Sequence, residues 1–453
     1  MVKEGKIIRD PIYGDIYLTD LEVSIVDTPE LQRLRNIKQL GMTYLVYPSG
    51  NHSRFEHSIG TVHTAGEICK NLNIDGRLIR LSALLHDIGH PPFSHSLEIL
   101  GYNHETYTKK KIKKMDLINY SPKEVIDILS NRRIEGTLLS GDVDADRMDY
   151  LIRDSYHTGV AYGLIDYSRL LHSITLIEGD KPQIAIHYKS IVAVESLLIA
   201  RYQMYPTVYM HQTSRIGETM LKHSVIYGIN DGLFSVKDLS SMDDIDLIST
   251  LRYLGSGWCK KLMDKLDRRD LFKKCSVINY DNFKPDELWA LINLSDEDVK
   301  NIENRLSDLL NTKVFLDIPP IPKINAHNLI ILKNNKKYRL DEISPLAKNL
   351  KNAYIKSWNI GIYCERKMSP ISKDELMDIV RDEADIKKCK LLNIFEKNDT
   401  LEGRGNLINE AKKIGLSEND TYKYLQKLIF SGMVLEDSKK IGGVYRYDYK
   451  LNI

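Results

Sequence analysis

Apolar residues recur at spacings of three and four through much of the first half of the chain. This period matches the α-helix, in which residues three and four apart share one face. Residues 7–18 are instead rich in β-branched and turn residues, which predicts a small hairpin. Asp27-Thr28-Pro29 predicts a helix start, with Asp27 or Thr28 as the cap and Pro29 in the first turn. The helical pattern is clearest over residues 59–72, 78–85, 125–129 and 191–204.

A proline-rich break at residues 318–324 interrupts this pattern, and the chain beyond it is of mixed character. The elements predicted next are a hairpin from 328–332 and 336–340, a helix starting at Ser344-Pro345, and a strand at 359–363. The C-terminal part combines helices with a glycine-tipped hairpin, which is the element order of a winged helix. Its predicted helices cover residues 387–397, 406–414 and 422–430, and its predicted strands cover 434–436 and 444–449.

The pattern as a whole predicts a mainly α protein with minor β hairpins, divided into three parts. Residues 1–325 would form a helical core with an N-terminal β segment. Residues 326–371 would form a small mixed α/β extension that packs on the core. Residues 372–453 would form a winged-helix-like α+β module.

Composition restricts the class of protein. The 453 residues are 42% hydrophobic and 28% charged, as in soluble globular proteins, and the formal net charge of +2 gives no overall attraction to nucleic acid or membrane. No apolar run approaches the ~20 residues of a spanning helix, and the N-terminus lacks the apolar core of a secretory signal. The five cysteines lack C-x-x-C spacing, which favours free thiols in a reducing compartment. We therefore expect a cytoplasmic protein without a membrane partner.

The strongest chemical signal is the adjacent pair His86-Asp87, which ends an apolar helical run and is followed by further histidines. Imidazole nitrogen and carboxylate oxygen form a ligand set for a catalytic divalent metal ion. His57 and Asp146 could complete the set, because helical bundles hold metals with inward-facing ligands from several helices. Such an ion would lower the pKa of a bound water and polarise a phosphoryl group. An isolated histidine on an apolar helix is more often structural, and His63 and His172 are assigned to that class.

These segments resemble the HD-domain phosphohydrolases, and within that family the deoxynucleoside triphosphate triphosphohydrolase branch. Members of this branch cut at the α-phosphate and release a deoxynucleoside and intact tripolyphosphate. The resemblance therefore implies an HD-domain helical fold, a metal-dependent dNTP triphosphohydrolase activity, and metal ligation by His57, His86, Asp87 and Asp146. The matching stretches are residues 27–41, 52–60, 84–95, 104–105 and 144–154.

The resemblance also implies the proton-transfer groups. His95 and His104 would protonate the leaving 5′ oxygen, and Glu105 lies beside His104 in the sequence. A carboxylate partner tunes the basicity of an imidazole toward the working pH. Glu98 stands where the branch member with a sterile-alpha-motif domain has an aspartate. The glutamate is one methylene longer and lies three residues after His95, so both would share a face if this stretch is helical.

A further set of residues would contact the substrate. Arg54 would grip an α-phosphate oxygen with its planar charged fork, although it could instead pair with a surface acid. Arg147 replaces a lysine of the family, and Tyr205 replaces a histidine. Tyr150 could alternatively be core packing. The substrate-binding residues that the resemblance implies are Arg54, His90, Arg147, Tyr150, Asp154, Gln39, Leu40, Arg201 and Tyr209.

The early segment resembles a regulatory site of the same branch, where an activating guanine nucleotide bridges subunits. The implied residues are Lys6, Ile7, Asp27, Gln32 and Arg35. The resemblance thus implies a homo-oligomer, a dimer or a tetramer, that is activated by a guanine nucleotide or a dNTP. The alternative is structural, because Asp27 suits a helix cap and the other polar residues suit a solvated face.

The C-terminal module has no net charge, because residues 372–453 hold 15 Lys and Arg against 15 Asp and Glu. Non-specific DNA binding depends mainly on neutralising phosphates, so this balance argues against DNA as the partner. We expect a protein-interaction or oligomer-stabilising module.

Two alternatives and one open question remain at this stage. The protein could be an HD phosphohydrolase of another nucleotide, a monophosphate or a cyclic one. It could also be a nucleotide-sensing regulator that acts through the winged helix. A His/Asp site accepts Fe, Mn, Co, Ni or Zn, and Mg would accompany the triphosphate.

Overall fold

The computed structural model describes residues 4–177, 183–322, 329–384, 391–397, 400–441 and 444–451. The chain divides into two compact units, the first from Met1–Leu271 and Ile324–Asn352 and the second from Phe272–Lys323 and Ala353–Ile453. It therefore leaves the first unit, builds part of the second, returns to the first and ends in the second. The predicted three-part organisation divides the chain at other points and stays a prediction.

Helices are the main elements of the described chain, as predicted, and the strands form small sheets. The helices are α1 Asp20–Val26, α2 Pro29–Gln32, α3 Arg54–Asn71, α4 Arg77–Leu85, α5 His104–Ile112, α6 Pro122–Leu129, α7 Ala145–Thr158, α8 Tyr167–Leu171, α9 Ile191–Met204, α10 Gln212–Asn230, α11 Asp244–Tyr253, α12 Gly257–Asp267, α13 Pro285–Ile292, α14 Asp296–Leu310, α15 Leu340–Ile343, α16 Pro345–Lys356, α17 Lys373–Glu383, α18 Leu392–Lys397, α19 Arg404–Lys413 and α20 Glu418–Phe430. The strands are β1 Glu4–Asp10, β2 Gly14–Thr19, β3 Ile174–Ile177, β4 Gln183–His187, β5 Lys273–Asn279, β6 Val314–Asp317, β7 Ile330–Lys333, β8 Lys336–Arg339, β9 Asn359–Cys364, β10 Thr400–Glu402, β11 Val434–Ile441 and β12 Val444–Leu451.

The helix that carries the first predicted metal ligand begins with a capping box. The Glu56 carboxylate accepts the Ser53 backbone N–H at 2.6 Å, and the Ser53 hydroxyl accepts the Glu56 N–H at 3.3 Å. Both N–H groups would otherwise lack partners at a helix start. This cap fixes Arg54 as the first residue of α3 and places His57 one turn further along.

The predicted helical stretches and the N-terminal hairpin are confirmed. Residues 59–72 fall almost entirely in α3, 78–85 in α4 and 125–129 in α6, and 191–204 coincides with α9. Thr28 precedes α2, as predicted, but its hydroxyl donates to the Ile25 carbonyl at 2.7 Å and does not cap the helix.

The first unit buries one large apolar core between its helices. Ile59 and Val62 from α3, Leu84 from α4, Met148 from α7 and Leu197 from α9 are each at most 1% exposed. Because α3, α4 and α7 meet in this core, the polar residues at their ends are brought together.

A four-stranded sheet in the order β3-β4-β7-β8 belongs to the same unit. The predicted hairpin of β7 and β8 is present, with Asn334 and Asn335 at φ 49° and 59° in its two-residue turn. Asparagine tolerates this left-handed backbone, which hairpin turns of this length require. The parallel pairing of β7 with β4 was not predicted.

The second unit contains two three-stranded sheets, in the orders β5-β9-β6 and β10-β12-β11. The predicted strand 359–363 is β9, and the predicted C-terminal hairpin is formed by β11 and β12. The predicted helices 406–414 and 422–430 correspond to α19 and α20. Of the predicted helix 387–397, residues 392–397 form α18, while 385–390 and the hairpin tip 442–443 lie outside the described residues.

No helix in the described part of the chain is long and apolar enough to cross a membrane. The cysteines at positions 69, 259, 275 and 364 are buried free thiols, and Cys389 lies outside the described residues.

Trp358 anchors the core of the second unit. Its side chain is fully buried, its Nε1–H donates to the Pro319 carbonyl at 3.0 Å, and its ring meets Phe430 at 5.4 Å between centroids. Trp358→Ala should therefore lower the free energy of unfolding by about 3–5 kcal/mol, measured by urea denaturation with circular dichroism. Trp258→Ala, at a half-exposed tryptophan, is the control and should cost clearly less; equal losses would contradict this account of the core.

Candidate active site

The three core helices bring the four predicted metal ligands to one point. His57 lies one turn into α3, His86 and Asp87 follow directly after α4, and Asp146 lies in the first turn of α7. His57 Nε2 is 3.0 Å from Asp146 Oδ1 and 3.3 Å from His86 Nε2. Asp87 flanks this group, with Oδ1 3.3 Å from His86 Nε2 and Oδ2 3.9 Å from His57 Nε2. Two imidazoles and two carboxylates thus converge on one small space.

The hydrogen bonds of the two histidines indicate that this group fits a cation. The Nδ1–H of His57 donates to Asp149 at 2.8 Å, and the Nδ1–H of His86 donates to the Ala83 carbonyl at 2.7 Å. In its neutral form each imidazole would have only its Nε2 lone pair left, and both Nε2 atoms lie within 4.0 Å of Asp146 Oδ1. A divalent metal ion suits such a set of electron-pair donors.

A proton competes with the metal for His57. Burial disfavours the charged imidazole, but hydrogen bonds to Asp146 and Asp149 outweigh burial and raise the pKa of His57 to about 10. A metal ion at His57 Nε2 must therefore displace a proton at neutral pH.

Asp149 lies one turn after Asp146 and orients the His57 ring. Arg153 holds both of its carboxylate oxygens, with Nε donating to Oδ2 at 3.0 Å and Nη2 donating to Oδ1 at 2.9 Å. Burial raises the pKa of Asp149, but Arg153 and His57 outweigh this and lower it to about 2. The carboxylate stays ionised and keeps His57 in the tautomer whose Nε2 faces the ligand group.

Arg54 connects this group to the next loop. Its Nη1–H donates to the Asp87 carboxylate, and its Nε–H donates to the Ser94 hydroxyl at 2.7 Å. Burial raises the pKa of Asp87, but Arg54, His86 and His90 outweigh it and hold the pKa well below its usual range. Asp87 is therefore available as an anionic ligand, and Arg54 lies beside the metal group.

A second cluster adjoins the first and contains the predicted proton-transfer residues. The Glu98 carboxylate accepts the Nδ1–H of His95 at 2.8 Å and contacts Nδ1 of His104 through its other oxygen. His90 stacks on His104 with 4.0 Å between ring centroids, and its Nε2 is 3.3 Å from Asp87 Oδ1. His90 therefore joins the two clusters.

The carboxylate of this cluster is Glu98 and not Glu105. Glu105 is exposed and lies 3.8 Å from Lys109 on the solvent side of α5, which corrects the expectation that it accompanies His104. The two carboxylate oxygens of Glu98 contact two histidines, His95 and His104. Burial raises the pKa of Glu98, but His104 and His95 outweigh it and hold the pKa far below its usual range.

A tight turn between the clusters sets the position of His95. Phe93 and Ser94 have φ angles of 54° and 57°, in the left-handed region that non-glycine residues rarely adopt. Asp244 at the start of α11 stabilises this turn by accepting the Phe93 N–H at 2.7 Å and the Lys38 N–H at 3.0 Å. Burial raises the pKa of Asp244 to about 6, against the effect of these two hydrogen bonds.

The predicted sugar-facing residues form a connected group. The buried Asp154 carboxylate lies 2.8 Å from His52 Nε2 and accepts the Tyr209 hydroxyl at 2.7 Å. Tyr209 ends a π-helical turn, Tyr205–Tyr209, that follows α9. Such turns are frequent at functional sites.

The predicted phosphate-facing arginines act electrostatically on Tyr150. Burial raises the pKa of Tyr150, and the positive charges of Arg201 and Arg147 oppose this shift. Arg147 is also 3.1 Å from Asp144. Both arginines thus favour a negative charge at the Tyr150 position.

Buried polar atoms without partners mark two of the predicted substrate residues. Within the described residues, Gln39 Oε1 and His90 Nδ1 are buried without a hydrogen-bond partner. A buried polar atom left unsatisfied costs about 1–3 kcal/mol, so a ligand that supplies partners would be stabilised here. Gln39 also donates its backbone N–H to the His52 carbonyl at 3.0 Å, and Leu40 follows it half-buried.

Comparison with known proteins identifies the family. A family model described as HD domain matches residues 54–154, which include all four predicted metal ligands, and one described as HD associated region matches residues 165–389. An uncharacterized protein of Methanocaldococcus jannaschii is 47% identical over 97% of this chain and 98% of its own length. The chain belongs to the HD-domain phosphohydrolase family.

Two further relatives of this HD-domain protein carry a stated activity. The deoxynucleoside triphosphate triphosphohydrolase SAMHD1 homolog of Dictyostelium discoideum is 28% identical over 81% of this chain and 78% of its own length. The crystal structure of a phosphohydrolase from Bacteroides thetaiotaomicron superposes with a TM-score of 0.63 at 26% identity, and covers 80% of this chain and 100% of that one.

The predicted effector residues lie on the surface of the first unit of this HD-domain protein. Lys6 Nζ is 3.7 Å from Asp27 Oδ2, and both side chains are largely exposed. Ile7 is 56% exposed on the adjacent strand position. Arg35 Nε–H donates to Gln32 Oε1 at 2.8 Å. Their nucleotide-binding role stays a prediction.

Several residues that shape the HD site were not predicted. Asp149 and Arg153 support His57, His52 supports Asp154, and Asp244 supports the turn before His95. The guanidinium of Arg33 donates to the carbonyls of the His86–His90 segment, at 2.9 Å and 2.8 Å. The spacing of Asp149, three residues after a predicted ligand, was the one available signal, because both would share a helix face.

Removing a ligand should remove the metal. We expect His57→Ala and Asp146→Ala to lower bound metal by at least about tenfold, since even outer-shell partners of a metal site are worth about 10–100-fold in affinity. Elemental analysis of protein reconstituted with Mn²⁺ or Co²⁺ measures the loss. His172→Ala, at an exposed histidine outside the site, is the control. Full metal content in both ligand variants would refute this ligand set.

Metal binding should release a proton at neutral pH. Because His57 holds its proton with a pKa of about 10 in the metal-free protein, the ion must displace it, and metal affinity should rise as the pH increases toward that value. Calorimetric titration of metal into apo protein, in buffers of different ionisation enthalpy, measures the protons released. A count near zero at pH about 7, with pH-independent affinity, would contradict the coupling.

Proposed function

We propose that this protein hydrolyses deoxynucleoside triphosphates to a deoxynucleoside and tripolyphosphate in a metal-dependent reaction. The observation that carries the proposal is the direct contact between two clusters: a group that fits a metal ion, and a histidine pair held by Glu98. The contact runs through His90 and Asp87, 3.3 Å apart. A relative described as a deoxynucleoside triphosphate triphosphohydrolase supports the choice of substrate.

The metal site would define where the phosphorus atom sits. His57, His86, Asp87 and Asp146 would hold the ion, which when bound acts as a Lewis acid and activates water. Arg54 would position an α-phosphate oxygen at this point, because its guanidinium is already fixed by Asp87 and Ser94. A prepositioned charge of this kind stabilises developing negative charge without reorganisation.

The second cluster would supply the proton for the leaving 5′ oxygen. His95 Nδ1 is bonded to Glu98, so its Nε2 can carry a proton outward, and the anionic Glu98 stabilises the resulting imidazolium. His104 shares the same carboxylate and can exchange the proton with it. His90, whose pKa is lowered well below its usual range by burial and by Arg54, would stay neutral beside the phosphate.

The remaining substrate residues suit a sugar and a triphosphate chain. Asp154, already held by His52 and Tyr209, would accept the 3′-hydroxyl, and Tyr150 would pack on the sugar. Arg147 and Arg201 would bind the outer phosphates, accompanied by Mg²⁺. Gln39, whose Oε1 is buried without a hydrogen-bond partner, would contact the base or sugar together with Leu40.

The regulatory and assembly roles are part of the same proposal. A guanine nucleotide or dNTP would bind at Lys6, Ile7, Asp27, Gln32 and Arg35 and stabilise a dimer or tetramer. The C-terminal elements α17–α20 and β10–β12 would form a winged-helix-like module that mediates protein contacts, in keeping with its zero net charge. The predicted division at residues 325 and 371 belongs to this proposal as well.

Product analysis tests the activity. Metal-loaded protein incubated with each dNTP, alone and with GTP, should yield deoxynucleoside and tripolyphosphate in equal amounts, resolved by ion-exchange chromatography. Asp87→Ala should abolish turnover. Inorganic phosphate or pyrophosphate as the primary product would exclude cleavage at the α-phosphate and favour another HD phosphohydrolase activity. Tight dNTP binding without turnover would favour a sensor.

Two glutamates give a matched pair of variants. Glu98→Gln should lower kcat by about 100-fold, because it removes the negative charge that stabilises the histidine pair. Glu105→Gln, beside His104 in sequence but paired with Lys109 in space, should leave kcat nearly unchanged. Steady-state release of tripolyphosphate measures both. Equal losses in the two variants would contradict the assignment of Glu98.

A further inference from the structure

We propose that Asp10 and Arg153 are positioning residues for the metal ligand His57, and that they make the β1–β2 hairpin a structural part of the metal centre. The inference rests on the metal site of the proposed function and is independent of which nucleotide is hydrolysed.

A continuous chain of buried contacts joins the hairpin to the ligand. Asp10 Oδ2 accepts the Arg153 Nη1–H at 2.8 Å. Arg153 uses its two other donor positions on the two oxygens of Asp149, at 2.9 Å and 3.0 Å. Asp149 Oδ2 accepts the His57 Nδ1–H at 2.8 Å. The four residues are at most 5% exposed, so solvent screens none of these contacts appreciably.

Asp10 is also the residue that closes the hairpin. It ends β1, and its Oδ1 accepts the backbone N–H groups of Ile12 and Tyr13 at 2.9 Å and 3.0 Å. The Tyr13 ring stacks on His63 of α3 at 4.5 Å between centroids. One carboxylate therefore shapes the turn with one oxygen and holds Arg153 with the other.

Charge pairing couples Asp10 to Asp149, because both carboxylates bind the same guanidinium. Arg153 lies between two carboxylates in a fully buried position, where an unpaired charge is strongly disfavoured. Without the charge of Asp10, the Nη1 donor of Arg153 loses its acceptor, and the guanidinium must shift to find another. That shift disturbs the bidentate grip on Asp149, and Asp149 sets the tautomer and angle of His57.

Helix packing leaves no room to absorb such a shift. Gly60 lies one turn after His57 on α3, and a methyl group placed there would collide with Asp149 and Arg153. The two helices thus meet at this point without an intervening side chain. Displacement of Arg153 therefore moves the group that orients His57.

The hairpin offers a matched pair that lacks this connection. Glu22, in the first turn of α1 after β2, accepts two hydrogen bonds from Arg80 at 2.7 Å and 2.8 Å, and Arg80 also donates to the Tyr17 carbonyl at 2.8 Å. This pair fastens the same hairpin to α4 with the same chemistry. None of its described contacts reaches His57.

The experiment measures Mn²⁺ dissociation constants by electron paramagnetic resonance on the full-length apo protein. Asp149→Asn should weaken binding by about 10–100-fold, the usual effect of an outer-shell partner. Asp10→Asn, which keeps an oxygen for the turn, should weaken it by about three- to tenfold, because Asp10 lies two contacts further from His57 than Asp149 does. The Mn²⁺ dissociation constant of Glu22→Gln should stay within about twofold of the wild-type value, because no contact that the structure describes joins the Glu22–Arg80 pair to the metal ligands.

Double variants separate positioning from general destabilisation. Because Asp10 acts through Asp149, Asp10→Asn should have no further effect on the Mn²⁺ constant in the Asp149→Asn background. The visible spectrum of the Co²⁺ protein should also shift in Asp10→Asn and not in Glu22→Gln. If Asp10→Asn fails to fold, Arg153→Lys, which keeps the charge but loses the bidentate fork, serves in its place with the same expectations.

Three results would overturn the inference: a wild-type Mn²⁺ constant in Asp10→Asn, an equal weakening in Glu22→Gln, or additive effects in the double variant. Each concerns metal affinity alone. A protein that binds metal as expected here but forms no tripolyphosphate would refute the proposed function and leave the positioning role intact.

Discussion

The hydrogen bond from His57 Nδ1 to Asp149 decides what the centre of this molecule can hold. It commits one nitrogen of the imidazole, so the other must face His86 and Asp146. Because Asp149 stays ionised, the site collects more negative charge than positive charge, and either a proton on His57 or a metal ion must balance it. The fold keeps these charged groups close together. One apolar core packs α3, α4 and α7, and the ends of these helices cannot separate without exposing that core.

In the neighbouring cluster of His95, Glu98 and His104, a carboxylate again orients imidazole rings. One carboxylate, Glu98, here contacts the Nδ1 atoms of two imidazoles, His95 and His104, and so fixes the orientation of both rings. The left-handed turn at Phe93 and Ser94 comes directly before His95 in the chain. The backbone strain in that turn is offset by Asp244, a residue from a helix that contributes nothing to the chemistry directly.

Much of the fold could be predicted because its signals are local. The spacing of apolar residues located α3, α4 and α9, and the Asn334-Asn335 turn located β7 and β8. The strands β3 and β4 could not be found in this way, because they are short and are completed by a partner far along the chain.

The site residues likewise fall into those that local sequence reveals and those that depend on distant partners. The metal-type ligands stand out as unusual residues in apolar runs, whereas Arg153 and Asp244 are ordinary charged residues whose roles depend on partners 143 and 151 positions away. The expectation that Glu105 accompanies His104 failed because neighbours in the sequence of a helix point to different sides of it, and only one side faces the pocket.

The late return of the chain to its first unit has a consequence for synthesis on the ribosome. Ala185 of β4 is paired with Ile330 of β7, so the inner strand emerges 330 minus 185, or 145, residues before its neighbour. During that interval its open edge presents unpaired backbone groups, which can recruit a strand from another nascent chain. Products of stalled translation that end before β7 keep this edge permanently. Such truncated chains therefore expose the β4 edge that β7 covers in the completed chain, which favours their aggregation.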